Sequence, residues 1–184
     1  MPRSMILMSD AGGKMAVAEK VEQEIARLSD PSLDVRHAAV AALREIGEPA
    51  VVPLLKELAE AGDNDRRWYA AVALSRIGAP AIAPIIEAMK ANPVQVFRRY
   101  GAAALGEMGA TAVTPLINAM GSDEAEFRGF LSQALCRIGE PAIEPLRQRL
   151  HDADEIVRSC ATLTLWKLGE AGVPVIVEDA GKED

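Results

Sequence analysis

Two histidines and two cysteines are the side chains of this 184-residue sequence best suited to nucleophilic or metal chemistry. His37 and His151 lie far apart in sequence. Cys136 and Cys160 form no CxxC pair and have no metal-ligand spacing. No HExxH, GxSxG or glycine-rich phosphate loop occurs. The histidines therefore read as surface side chains and the cysteines as small filler residues, the alternative for a cysteine being a thioether-forming nucleophile. No catalytic residue, metal ligand or cofactor is expected.

A second class of residues is spaced regularly. Arginine recurs at Arg36, Arg67, Arg98, Arg128 and Arg158, and aromatics cluster at Trp68, Tyr69, Tyr100, Phe130 and Trp166. Cations beside aromatic rings suit recognition of a partner rather than bond making. The elements that position them follow from a repeat. "IGEPAVVPLL" at Ile46 returns as "IGAPAIAPII" at Ile77, "MGATAVTPLI" at Met108, "IGEPAIEPLR" at Ile138 and "LGEAGVPVIV" at Leu168. Its glycines, Gly47, Gly78, Gly109, Gly139 and Gly169, are 30 or 31 residues apart. That is a solenoid period, in which each repeat buries its apolar face only against its neighbours.

Leucine stands four residues before every such glycine, at Leu43, Leu74, Leu105, Leu135 and Leu165. Positions 12, 8, 5, 4 and 1 before the glycine share an arc of about 100° on a helix. The reading is an amphipathic helix closed by a glycine in a left-handed cap. The arginines lie beside this stripe. Past the glycine, Pro49, Pro80 and Pro141 suit the first turn of a new helix, and Pro53, Pro84, Pro115 and Pro145 should bend it. Each repeat is thus a bent first helix, a polar turn and a straighter second helix.

The expected organisation is a flexible leader over 1–13, repeats over 14–47, 48–78, 79–109, 110–139 and 140–169, a partial cap over 170–177 and a tail over 178–184. The helix over 14–28 is the first helix of the first repeat. The fold class is all-α: a right-handed-twisting α-solenoid, or superhelix, of five helix pairs.

Three rows on each second helix point away from the buried stripe. Ten before the glycine stand His37, Trp68, Arg99, Gly129 and Ser159; six before stand Ala41, Val72, Ala103, Gln133 and Leu163; three before stand Arg44, Ser75, Gly106, Cys136 and Trp166. Ala38, Tyr69, Tyr100, Phe130 and Cys160 run along one edge. Trp68, Tyr69, Arg99, Tyr100, Phe130, Arg137 and Trp166 are the expected partner-binding residues. The alternative for the edge row is packing between neighbouring helices. Charge is sorted as well. The second helices carry eleven basic and five acidic residues, net +6, against −13 for the remainder of the chain. A net charge of −7 disfavours nucleic acid. No apolar run approaches the ~18 residues of a membrane span. A reducing, cytoplasmic location is expected.

The stretch "DVRHAAVAALREIGEPAVVPLLKEL" (34–58) resembles the HEAT repeat, and within it the short-unit type named after phycocyanobilin lyases. The resemblance covers about residues 14–177. It implies that the second helices line a concave face. It also implies a ladder in which Arg36, Arg67, Arg98, Arg128 and Arg158 bond to a turn residue six positions earlier. Those positions hold Asp30, Ala61, Asn92, Ser122 and Asp152, so Ala61 departs, with Asp63 close by. A ligand-binding row is the lesser reading of the arginines. The expected function is a non-enzymatic scaffold or adaptor that binds a protein partner, possibly an acidic segment, in the concave groove. The alternatives are a bilin-lyase-like protein binding an anionic tetrapyrrole, and an assembly or regulatory subunit of a larger enzyme.

Overall fold

The structure, a computed structural model, describes residues 4–181. Among them are eleven α-helices and no strand. The chain is an all-α solenoid of repeated helix pairs, and it falls into two compact segments divided after Ala81.

In the first segment, α1 (Ser4–Arg27) pairs with α2 (Leu33–Ile46), and α3 (Val51–Glu60) pairs with α4 (Asn64–Ile77). The second helices α2 and α4 pack side by side. Val21, Ile25 and Leu28 close the core from one side, and Val51, Leu54 and Leu58 fill it from the other. Helical backbone reaches back into the segment expected as a leader. Gly12 and Gly13 each cost about 1 kcal/mol in a helix, but they block no hydrogen bond. No proline intervenes between Ser4 and Arg27. Residues 1–3 lie outside the described residues.

The next first helix, α5 (Ala79–Ala91), carries Pro84 in its interior. In the second segment follow α6 (Gln95–Glu107), α7 (Val113–Asn118), α8 (Ala125–Ile138), α9 (Ile143–Arg147), α10 (Glu155–Lys167) and α11 (Val173–Ala180). Here α8 packs against both α6 and α10. The final first helix, α11, has no buried residue and takes in residues 178–180 of the expected tail. Residues 182–184 lie outside the described residues.

All five leucines four before the glycine are 0% exposed. The row eight before it is equally closed: Ala39, Ala70, Leu131 and Ala161 are fully buried, and Gly101 admits Met89 where a Cβ would stand. In the row seven before it, Val40, Ala71, Ala102 and Ser132 are buried and widen the expected stripe, while Thr162 in the last repeat is exposed.

The recurring glycines all have positive φ. At Gly47, Gly78 and Gly139 ψ lies between −133° and −135°, so the backbone is not in the left-handed helical cap that the spacing suggests. It occupies a region open essentially to glycine alone. Gly47 N–H closes one helix on Leu43 O at 3.0 Å, and Gly47 O opens the next by accepting from Ala50 N–H at 2.9 Å. One residue thus turns the chain between repeats.

The expected bend is a break in three of the four proline repeats. The chain makes a 3-10 turn at Glu48–Ala50, Gly109–Ala112 and Glu140–Ala142 before α3, α7 and α9 begin. Pro53, Pro115 and Pro145 each fall third in their helix, where the missing N–H has no intrahelical acceptor to lose. Only α5 holds its proline, Pro84, in the helix interior.

Candidate functional site

The arginines come first, because they fix which cations remain available. Arg98 is completely buried. Its Nε donates to Met89 O at 2.8 Å and Asn92 O at 3.0 Å, and its guanidinium grips Glu124 with both Nη atoms. Arg128 donates to Ser122 O at 2.6 Å, and Arg158 to Asp152 O at 2.6 Å and Ala153 O at 2.9 Å. In these three repeats position six before the arginine is therefore an acceptor through its backbone carbonyl. The polar side chains there do something else. Asp30, Asn92, Ser122 and Asp152 accept the backbone N–H two residues on, from Ser32, Val94, Glu124 and Asp154. They shape the turn. At Ala61 the turn is held instead by Asp63, which accepts from Arg66 N at 2.8 Å.

In the first segment, the Nη1 of Arg36 lies 3.8 Å from the exposed Asp65, and its guanidinium sits 4.8 Å from the centre of the Tyr69 ring. The Nε atoms of Arg36 and Arg67 are buried without a hydrogen-bond partner. The Arg66 Nε is 2.6 Å from Glu57, an ion pair whose angles fall outside hydrogen-bond geometry. The His37 ring is tilted against Tyr69 at 6.2 Å. Tyr69 is half-buried in this cluster, and Trp68 beside it is 45% exposed.

In the second segment, Arg99 is exposed, with its guanidinium 5.3 Å from the centre of the half-buried Tyr100 ring. Phe130 is half-buried as well. Arg137 has its stem laid across Gly106, where a Cβ would fall 2.6 Å from its Cδ, and its Nε donates to Glu107 at 2.8 Å. Trp166 is 65% exposed, and Leu163, one turn earlier on α10, is exposed with it.

Two recesses open on α8. One, of about 430 Å³, lies between α8 and α10, with Ser132, Ser159, Leu163 and Thr164 in its lining. The other, of about 590 Å³, is lined by Glu126, Gly129, Phe130, Gln133, Cys136 and Lys167. Beneath them the Ser132 and Thr164 hydroxyls meet at 3.0 Å, and Lys167 Nζ reaches Ser132 at 3.4 Å. Ser132 and Thr164 are buried polar residues, and sequence reasoning passed over them. The signal for Thr164 was a hydroxyl in a register that holds Ala42, Ala73, Ala104 and Ala134 in the other repeats; the Ser132 register, with Val40, Ala71, Ala102 and Thr162, gives a weaker one.

Burial pushes the Cys136 thiol above its ordinary value, against the opposing charge of Lys167. A raised thiol is a poorer nucleophile at neutral pH. His151 pairs with Asp179 of α11 at 2.8 Å. Among the described residues no group of three His, Cys, Asp or Glu side chains stands close enough to hold a metal ion. No single helix among them is long and apolar enough to cross a membrane.

Residues 21–106 match the family described as HEAT repeats, and residues 97–122 match the PBS lyase HEAT-like repeat. No curated protein matches the chain. Among solved structures, a designed armadillo repeat protein in complex with the peptide (KR)4 is 19% identical over 85% of this chain and 90% of that one, with a TM-score of 0.33. An engineered protein is 20% identical over 89% and 86%, with a TM-score of 0.34. Computationally designed armadillo repeat proteins for modular peptide recognition give 19%, 85%, 90% and 0.32.

Proposed function

From the premise that the chain is built of HEAT repeats, one of them of the PBS lyase type, we propose that it is a non-enzymatic scaffold that binds a protein partner through the outward rows of its second helices. The observation that carries this reading is the exposure of both tryptophans, Trp68 at 45% and Trp166 at 65%, while every leucine four before the glycine is fully buried. A tryptophan in water forgoes much of the stabilisation its burial would bring, and tryptophan and arginine are the residues most enriched at the energetic centres of interfaces. Arg99 and Leu163 extend the exposed surface in the second segment.

The expected interacting set narrows on this reading. Trp68, Arg99 and Trp166 are primary contacts. Tyr69, Tyr100 and Phe130 are half-buried and secondary. Arg137, held by Glu107, contributes at the rim.

The test is affinity purification of the partner from the native host, followed by titration of single variants. Trp166→Ala, Trp68→Ala and Arg99→Ala should each weaken binding by roughly thirtyfold, the equivalent of about 2 kcal/mol, without changing the melting temperature much. Glu87→Ala and Lys90→Ala, exposed on the first helix α5, should leave affinity within about twofold. The reading is wrong if the first-helix variants lose binding and the tryptophan variants keep it.

A further inference from the structure

Three glycines lie inside the second helices of the second segment, and two have a packing reason. A Cβ at Gly101 would fall 2.7 Å from Met89 Sδ, and one at Gly106 would fall 2.6 Å from Arg137 Cδ. Gly129 has no such reason. A Cβ there would meet nothing within 4 Å, and its φ is not positive. Neither packing nor backbone conformation calls for glycine at this exposed position in the body of α8, and glycine weakens a helix relative to alanine. In the same register the other repeats carry His37, Trp68, Arg99 and Ser159.

Gly129 lines both recesses on α8 and stands where they meet. Their lining is charged at both ends, and Arg128, which also lines the first recess, has its guanidinium drawn onto Ser122 O. Glu126 and Glu155 stand in the first turns of α8 and α10, and Lys167 in the last turn of α10. From Glu126 to Cys136, the far end of the lining on α8, ten residues at 1.5 Å each span about 15 Å. An extended polypeptide covers that length in four to five residues.

We propose that Gly129 is the point of closest approach of an extended segment of the partner. The segment lies along α8 with a basic residue set against Glu126 and Glu155 and an acidic residue four or five positions away at Lys167. An apolar side chain between them rests on Phe130. The missing side chain lets the partner's backbone reach the helix. This inference rests on the protein-partner reading above and assigns it a ligand class and a site.

The probe is a set of fluorescein-labelled nonapeptides with Lys and Glu four or five residues apart, in both orders. The residue between them is Leu, Phe or Ser, and a neutral series replaces Lys and Glu with Gln. Anisotropy against the full chain should select one order with Leu or Phe, at least about tenfold tighter than its neutral counterpart. Gly129→Ala should weaken that peptide by at least about tenfold while raising Tm by about 2–4 °C, since alanine favours the helix and strikes nothing. The proposal is overturned if no peptide binds, if the neutral series binds equally, if Gly129→Ala leaves affinity unchanged, or if it lowers Tm and so shows the glycine to be structural. The partner recovered from the host separates this inference from the wider reading. Binding that Trp166→Ala weakens and Gly129→Ala spares sinks the site and leaves the scaffold; binding that neither touches sinks both.

Discussion

At the scale of single residues, Arg98 and Glu124 form the most enclosed charge contact among the described residues, with the cation fully buried and the carboxylate partly in water. The hydrogen bonds from Arg98 hold the Glu124 carboxyl below its ordinary value, with burial opposing and the Arg98 charge reinforcing the shift. A carboxyl depressed in the folded state stabilises the fold at pH values above its unfolded value of about 4.3, and that contribution disappears as pH falls through the folded value. Melting temperature should therefore fall as pH drops below about 5, and Glu124→Gln should melt lower than wild type at pH 6 but fall less steeply in acid. Circular dichroism melts across that range make the comparison; parallel curves for the two proteins would show that the pair does not set acid stability. Some acid sensitivity should survive, because Asp152 is also held low, by the backbone N–H of Asp154 and then by Arg149. The arginine positions were legible from spacing alone. Their acceptors were not, because a backbone carbonyl is supplied by any residue type and leaves no mark in the sequence. Glu124 was hidden for a different reason. It occupies the N-cap register, with Ser32, Asp63, Val94 and Asp154 in the other repeats, where an acid reads as helix capping.

At the scale of elements, the hinge glycine links one helix pair to the next through a single backbone conformation. At Gly139, φ is 77° and ψ −133°, its N–H closes α8 on Leu135 O at 3.0 Å, and its carbonyl accepts from Ala142 N–H at 2.9 Å. A Cβ there would strike nothing within 4 Å, so the penalty for adding one is conformational rather than steric. Gly139→Ala should cost about 1–3 kcal/mol in urea denaturation, the opposite sign from Gly129→Ala in the body of the same helix. An unchanged midpoint for Gly139→Ala would mean that the hinge relaxes without strain. The second helices were legible in place and in form, because leucine, arginine and glycine recur in fixed register. The first helices were legible in place but not in form. Prolines two and six residues past the glycine look like one helix bent in its interior. At Pro49 and Pro53, and at Pro141 and Pro145, they are instead the early residues of two short elements, a 3-10 turn and an α-helix, each of which accepts a proline at its start; Pro80 and Pro84 alone share one helix, α5.

At the scale of the whole molecule, the partition of charge was legible and its use was not. A net +6 on the second helices suggests a strong field for an acidic partner. Ion pairs within the chain occupy part of it: Arg36 with Asp65, Arg66 with Glu57, Arg98 with Glu124 and Arg137 with Glu107. Arg128 and Arg158 keep their charge but are fixed on backbone carbonyls. Arg44, Arg76 and Arg99 remain exposed and make no ion pair among the described residues, and Lys167 is exposed with its Nζ 3.4 Å from the Ser132 hydroxyl. Exposed pairs with a partner are each worth about 0–1 kcal/mol, and salt screens them over about 10 Å at 0.1 M and 3 Å at 1 M. Three such contacts at about 0.5 kcal/mol each amount to about tenfold in affinity at most. Raising salt from about 50 to 500 mM should therefore weaken the recovered partner by about three- to tenfold, with the remainder carried by Trp68 and Trp166. The measurement is a titration series at fixed pH, in which Trp166→Ala lowers affinity by the same factor at every salt concentration. A loss of about a hundredfold or more would mean that the paired arginines exchange their internal carboxylates for the partner's. The tryptophans would then mark the rim of the interface rather than its centre.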